Sequence, residues 1–233
     1  MFNYPSIPGP SIAHLGEPCV AFHKYDGSNL RFFWNVRRGW HHFSTRYGWF
    51  TADTPTFGSA IRLFQEQFAE GILEAVRHGP NGDDVTELVA CCEFFGRNTF
   101  AGRHREGDAM EMVLFDVYLP ERGFLPPDEF LALFGHLRTV EVVYRGPFTA
   151  AFIEEVRAGK YRVKEGVVVK GVRPRGEGQE ECAVWSAKIK TRAWLDELRR
   201  QAGISTTLVQ EAEANDREQT LTVDVKAEGM TDG

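Results

Sequence analysis

CVAFHKYDGSNLRFFWNV, residues 19–36, sets two β-rich runs around a short polar break. The runs 19–25 and 30–36 carry Val, Phe, Tyr and Trp, residues that suit a pleated, half-buried surface. Asp26-Gly27-Ser28-Asn29 between them has the composition of a tight turn, so the pair is expected to form a β-hairpin. Working outward, β-rich runs recur over 85–95, 112–119, 139–144, 165–172 and 182–190. Helical patterns lie among them. Over 59–78, Ile61, Phe64, Phe68, Ile72 and Val76 recur at spacings of three and four, which predicts one amphipathic helix. A second helix is expected over 128–138 with Asp128 as its N-cap, a third between Thr149 and Gly159, and a fourth between Thr191 and Gly203. Strands and helices do not alternate strictly. An α+β fold with mainly antiparallel sheets and flanking helices is therefore expected, rather than a doubly wound parallel one.

The chain has 233 residues, enough for one large domain or for one domain with a small appendage. Its 42% apolar content, with 18 Phe and 5 Trp, excludes wholesale disorder. No stretch approaches the roughly 18 uninterrupted apolar residues that span a bilayer, so no membrane partner is expected. The first residues lack the cationic start and apolar run of a signal peptide, which predicts a cytoplasmic protein. Cys91 and Cys92 are adjacent, and Cys19 and Cys182 stand far from them; no zinc spacing exists, and buried reduced thiols are expected. Net charge is -6, but residues 205–233 hold seven acids against two bases and so carry most of it. The expected organisation is a domain over 1–203 and an acidic, loosely held tail over 204–233.

Three segments carry chemistry. Lys24 ends a strand just before the Asp26–Asn29 turn; taken alone, it reads as a solvated lysine. Glu165-Gly166-Val167-Val168-Val169-Lys170 opens a very apolar strand with a carboxylate and ends it with a lysine. Those two ends are five apart and face opposite ways on a straight strand, so they share a site only across a bulge or at a strand end. Ser186-Ala187-Lys188-Ile189-Lys190 puts two lysines on one strand face, an arrangement that an anion between them would relieve.

In order, the chain holds KYDGSN, FSTRYG, CEFFG, LFDVY, EGVVVKG and WSAKIK over about 20–190. This series resembles the successive motifs of the covalent nucleotidyltransferase superfamily, which comprises ATP-dependent DNA and RNA ligases and the mRNA capping guanylyltransferases. Asn29, five after the lysine, is similar to the nick-sealing RNA ligases. Asp26 departs from them, since they often carry His there and DNA ligases carry Asp.

The resemblance implies an adenylation domain and an ATP-dependent RNA ligase that joins 3'-hydroxyl and 5'-phosphate ends through a lysyl-AMP intermediate. Its alternatives are a DNA ligase, or a binding module of the same fold without turnover. Lys24 would be the nucleophile. Asp26, Gly27, Asn29, Arg46, Glu93, Phe115, Lys170, Lys188 and Lys190 would bind the nucleotide. Glu165 would hold Mg²⁺, with Mn²⁺ as a substitute. Read by itself, Phe115 within MVLFDVYL fits a core residue as well as a purine platform, and Arg46 fits a solvated arginine. Asp116 reads as a structural hydrogen-bonding residue. The partner implied is nicked or broken RNA. Arg97, Arg103 and Arg105, with His104, form one basic cluster, and Arg31, Arg37, Arg38, His41 and His42 form another; both fit the tracking of phosphates and a solvated surface equally. Trp40 and Trp49 lie near the second as packing or base-stacking residues. Ligases of this kind usually append a substrate-clamping domain, and the chain after Gly203 is too short for one. Either a minimal domain seals or a protein partner lends extra grip.

Overall fold

The computed structural model describes residues 2–79, 82–96, 107–174 and 182–200. Along the chain come β1 (Pro18–Lys24), β2 (Ser28–Asn35), β3 (Gly39–Thr45), α1 (Gly58–Gln67), α2 (Ala69–His78), β4 (Glu87–Phe95) and β5 (Glu111–Leu119). Then follow β6 (Gly123–Phe124), α3 (Pro127–Phe134), β7 (Val142–Pro147), α4 (Ala150–Arg157), β8 (Gly166–Pro174), β9 (Cys182–Lys190) and α5 (Arg192–Arg200). The α+β class with antiparallel sheets is as expected. The expected tail over 204–233 and the cluster Arg97, Arg103, His104 and Arg105 lie outside the described residues.

The described residues form two compact units, one built mainly from residues 25–140 with the segment up to Tyr4, the other from 5–24, 141–173 and 185–200. In the first, five strands run in the order β3-β2-β4-β5-β6. One face of this sheet, with Leu30, Phe32, Ala90, Cys92 and Leu114, packs on Phe64, Phe68 and Ile72 of the helical layer. Phe32 stacks on Phe64 at 3.8 Å between centroids. The second unit has the sheet β7-β1-β8-β9. Its apolar face, formed by Ala21, Val167, Val169, Ala187 and Ile189, packs on Phe152, Ile153 and Val156 of α4. Thr149 caps α4 as expected, its hydroxyl accepting from the Phe152 N–H at 3.1 Å.

The hairpin expected over 19–36 does not form. β1 pairs with β7 and β8, and β2 with β3 and β4. The polar break is the link from one sheet into the other. Gly27 serves close approach there, since a Cβ would lie 2.6 Å from the Phe94 carbonyl oxygen while Ser28 already pairs with Phe94.

Other elements shift for local reasons. The expected helix over 59–78 is two helices, broken where Phe68 adopts φ -130 and ψ -36. The Phe68 N–H still reaches the Phe64 carbonyl and the Ile72 N–H the Phe68 carbonyl, both at 2.9 Å, so the buried stripe runs through the break. Pro127, not Asp128, begins α3; proline needs no N–H there, and Asp128 lies in the first turn, where the helix dipole favours its charge. The run 139–144 begins late as β7, because Thr139 makes only an isolated bridge to Leu114. β3 was hidden by His41 and His42, which dilute its apolar residues. Cys19, Cys91 and Cys92 are buried free thiols, and burial pushes the Cys92 thiol well up.

Candidate active site

Alternation along the second unit's strands decides which side chains share a surface. Ala21, Val169, Ala187 and Ile189 point into the α4 core. Lys24, Lys170, Lys188 and Lys190 therefore lie on the opposite face of that sheet. Glu165 joins this face from just before β8. Gly166 has φ +153, and a Cβ there would collide with the Ile189 carbonyl, so the chain turns into the strand against β9 only with glycine. Glu165 and Lys170 thus share a sheet face despite their odd separation, but they stand at different points along β8.

Glu165 is 3% exposed, yet it is well partnered. Its Oε1 lies 2.9 Å from Lys24 Nζ and 3.6 Å from Lys190 Nζ. The segment is locked by Thr191, whose N–H donates to the Glu165 carbonyl at 2.9 Å and whose hydroxyl donates to the Lys164 carbonyl at 2.8 Å. The same hydroxyl accepts from the Trp194 N–H at 3.2 Å and so caps α5. Lys190 Nζ stands 4.2 Å from the centre of the Trp194 ring. Its ammonium is pulled down to about 8: burial dominates, Glu165 opposes it, and Lys24 and Lys188 add repulsion. Lys170 is 4% exposed and lies over Phe22, 5.5 Å from the ring centre. By strand rise it is about 13 Å along the sheet from the position paired with Lys24.

The first unit places Asn29, Glu93 and Phe115 on the sheet face turned away from its core. Asn29 pairs directly with Glu93 in the β2–β4 register. Phe115 arrives there through a β-bulge: Cys92 pairs with Leu114 and Cys91 with Asp116, leaving Phe115 as the extra residue. Leu114 and Val117 enter the core, so Phe115 and Asp116 both point to the other face. The bulge takes Phe115 out of the core and leaves it half-buried on that face. Asn29 Oδ1 is buried and has no hydrogen-bond partner within the protein, an acceptor that a ligand's hydroxyl or amine would satisfy. Asp26 and Gly27 lie in the link after β1, while Arg46 stands exposed in the turn after β3.

A wiring scheme without any sequence spacing supports this face. Tyr4 donates its hydroxyl to Asp116 Oδ2 at 2.7 Å and sets its ring edge-on to Phe115 at 5.2 Å. Burial first, then Asp116, pushes the Tyr4 phenol well up, so it remains a donor. Arg31 is not a surface phosphate tracker. It is 4% exposed and donates to Asn3 Oδ1 at 2.8 Å, to the Phe2 carbonyl at 3.3 Å and to the Thr45 carbonyl. The segment Phe2–Tyr4 is thereby tied across the sheet. Tyr4→Phe is expected to cost about 1–3 kcal/mol of stability through the lost donor to Asp116. Denaturant unfolding of the variant measures that loss.

The RNA ligase family model matches residues 17–190. Among solved structures, the chain is similar to an archaeal ATP-dependent RNA ligase at 21% identity and TM-score 0.59, covering 87% of this chain and 52% of that one. It is similar to a variant of the Naegleria gruberi RNA ligase with ATP and Mn at 19% identity and TM-score 0.55, covering 79% and 52%. An apo variant of the same ligase gives 17% identity and TM-score 0.58, covering 81% and 53%. The chain thus spans about half the length of these ligases, and at such identities the likeness is one of fold. A search of curated proteins gives no match.

Proposed function

Since the chain belongs to the RNA ligase family, we propose that it adenylylates itself on Lys24 with ATP and uses the AMP to join a 3'-hydroxyl to a 5'-phosphate in RNA. The observation that carries this is the ion cluster at the end of β1: one buried carboxylate, Glu165, facing Lys24 at 2.9 Å and Lys190 at 3.6 Å. Three lysines on that sheet end, Lys24, Lys188 and Lys190, exceed the charge of the single carboxylate. The surplus suits a triphosphate.

In the first step the Lys24 amine attacks the α-phosphorus. A nitrogen–phosphorus bond forms, the bond to the bridging oxygen of the β-phosphate breaks, and pyrophosphate leaves with its electron pair. Lys24 attacks only as a free amine, so its proton goes to solvent. Lys188 and Lys190 hold phosphate oxygens and stabilise the charge that develops on them. Glu93 and Asn29 accept from ribose or base, and Phe115 offers a ring to the purine. AMP then passes to the RNA 5'-phosphate, and the 3'-hydroxyl displaces it to form the phosphodiester.

A divalent cation fits beside Glu165, the hard acidic oxygen donor in this cluster, and would neutralise phosphate charge there. Among the described residues no three acidic, His or Cys side chains converge, so phosphate oxygens and water would complete its shell.

Incubation with ATP labelled at the α-phosphate, followed by denaturing electrophoresis, tests the reading. Covalent label dependent on Mg²⁺ or Mn²⁺ is expected; its absence overturns self-adenylylation. Nicked duplexes with ribo- or deoxyribonucleotides at the 3'-hydroxyl side then separate an RNA from a DNA ligase.

A further inference from the structure

From Gly27 to Ala52 the chain has no Asp or Glu, but it has four arginines and two histidines, in a protein of net charge -6. The structure turns this acid-free stretch into one rim of the first unit, the hairpin β2–β3 and the turn that follows. Three of the four exposed large hydrophobic residues among the described residues lie here: Val36 at 66%, Tyr47 at 90% and Trp49 at 46%. Exposed apolar side chains at that density need an explanation other than the core.

The rings form a row. Phe33 and Trp49 are 5.4 Å apart between centroids, Trp49 and His42 are 4.8 Å, and His42 and His41 are 4.7 Å. A bulge makes the row possible: Phe33 pairs with His42 and Trp34 with Trp40, which leaves His41 as the extra residue. Trp40 and Phe43 pack against the core, so His41 and His42 both project outward. Trp49 is held by an isolated bridge to Ser44, and the next residue, Phe50, donates its N–H to the Phe43 carbonyl at 3.0 Å. Arg37 and Arg38 sit exposed at the tip of the hairpin, with their backbone N–H groups bound by Asn35 Oδ1 at 3.0 and 2.9 Å. The acids that flank the rim are Glu87, paired with Asn35, and Asp53 beyond the turn.

We propose that this face is a docking surface for single-stranded RNA, with Trp49 and its ring neighbours stacking bases and Arg37 and Arg38 holding phosphates. The inference rests on the RNA reading of the function and adds a grip made by residues other than the Lys24 cluster. Cationic side chains beside a ring row are the recognition chemistry of unpaired nucleic acid: every base has a face to stack, and the backbone supplies the charge. An uncharged apolar partner would have no use for the missing acids.

Binding of a fluorescein-labelled 12-mer of oligouridylate to the full chain tests it. Trp49→Ala is expected to weaken binding by about five- to 150-fold, the range for loss of one stacked base. Arg37→Ala with Arg38→Ala should lower the slope of log affinity against log salt by about 1.4, for two phosphates on a single strand. Both changes are at exposed positions, so thermal unfolding should remain near wild type. Wild-type affinity and salt slope in both variants overturn the proposal, also if a peptide of residues 205–233 proves to bind there instead. AMP labelling, which needs no RNA, is run alongside. Failure of the wild-type chain to label counts against the proposed function, whereas labelled variants with unchanged RNA binding count against the hairpin alone.

Discussion

No AMP is expected to attach to the chain once Lys24 is replaced by arginine, a loss of at least about a thousandfold, as follows when a covalent nucleophile is removed. Arginine is the informative choice. It keeps a cation opposite Glu165, whose side chain is only 4% exposed, so the buried carboxylate is not orphaned. Guanidinium stays protonated at any working pH and offers no free amine. Lys24→Ala is the second arm. There Glu165 retains Lys190 at 3.6 Å, so the variant should still fold. Mass spectrometry of digested wild-type protein should place the AMP on Lys24. Label that persists in either variant, or that maps to another lysine, removes Lys24 from its role.

The sequence made the strands legible wherever aromatic and β-branched residues clustered, and it made the ion cluster legible because Glu165, Lys188 and Lys190 sit at strand ends. It misplaced the most characteristic stretch. Asp26-Gly27-Ser28-Asn29 has the composition of a hairpin turn, and composition alone does not separate a turn from a link between sheets. Gly27 is there because of the Phe94 carbonyl, a contact across 67 residues of chain. Phe115 was ambiguous for a similar reason. Its place outside the core depends on a bulge between the partners of Cys91 and Cys92, and a period-two pattern carries no mark of one extra residue. Arg31 looked like a member of a basic cluster because its partners are two carbonyls and Asn3, groups that every chain contains. Tyr4 and Asp116 are 112 residues apart, and nothing local in either points to the other.

Glu165→Gln separates electrostatic restraint from phosphate handling in the ion cluster. The amide keeps the shape but removes the charge that opposes burial at Lys190, whose ammonium is already down at about 8. In the variant that value falls further, and Lys190 is increasingly neutral near pH 7.5. On the proposed function adenylylation should drop by about a hundredfold or more, since Lys190's charge on the phosphates and Glu165's oxygen for the divalent ion would be lost together. The Mg²⁺ requirement should rise. Stability supplies the independent readout. In the wild-type fold Lys190 releases its proton at about 8, against an ordinary value of 10.5 in the unfolded chain. Between those values the unfolded state binds more protons, so Lys190's penalty is relieved as pH rises through this window and is fully present below it. Removing Glu165 deepens the penalty and extends the window to lower pH. The variant should therefore be less stable than wild type at pH 7 and regain part of the difference by pH 9, as read from denaturant midpoints at each pH. A stability gap that does not narrow with pH would mean that the lysines are not what Glu165 restrains. An unchanged Mg²⁺ requirement would remove the carboxylate from the metal's shell.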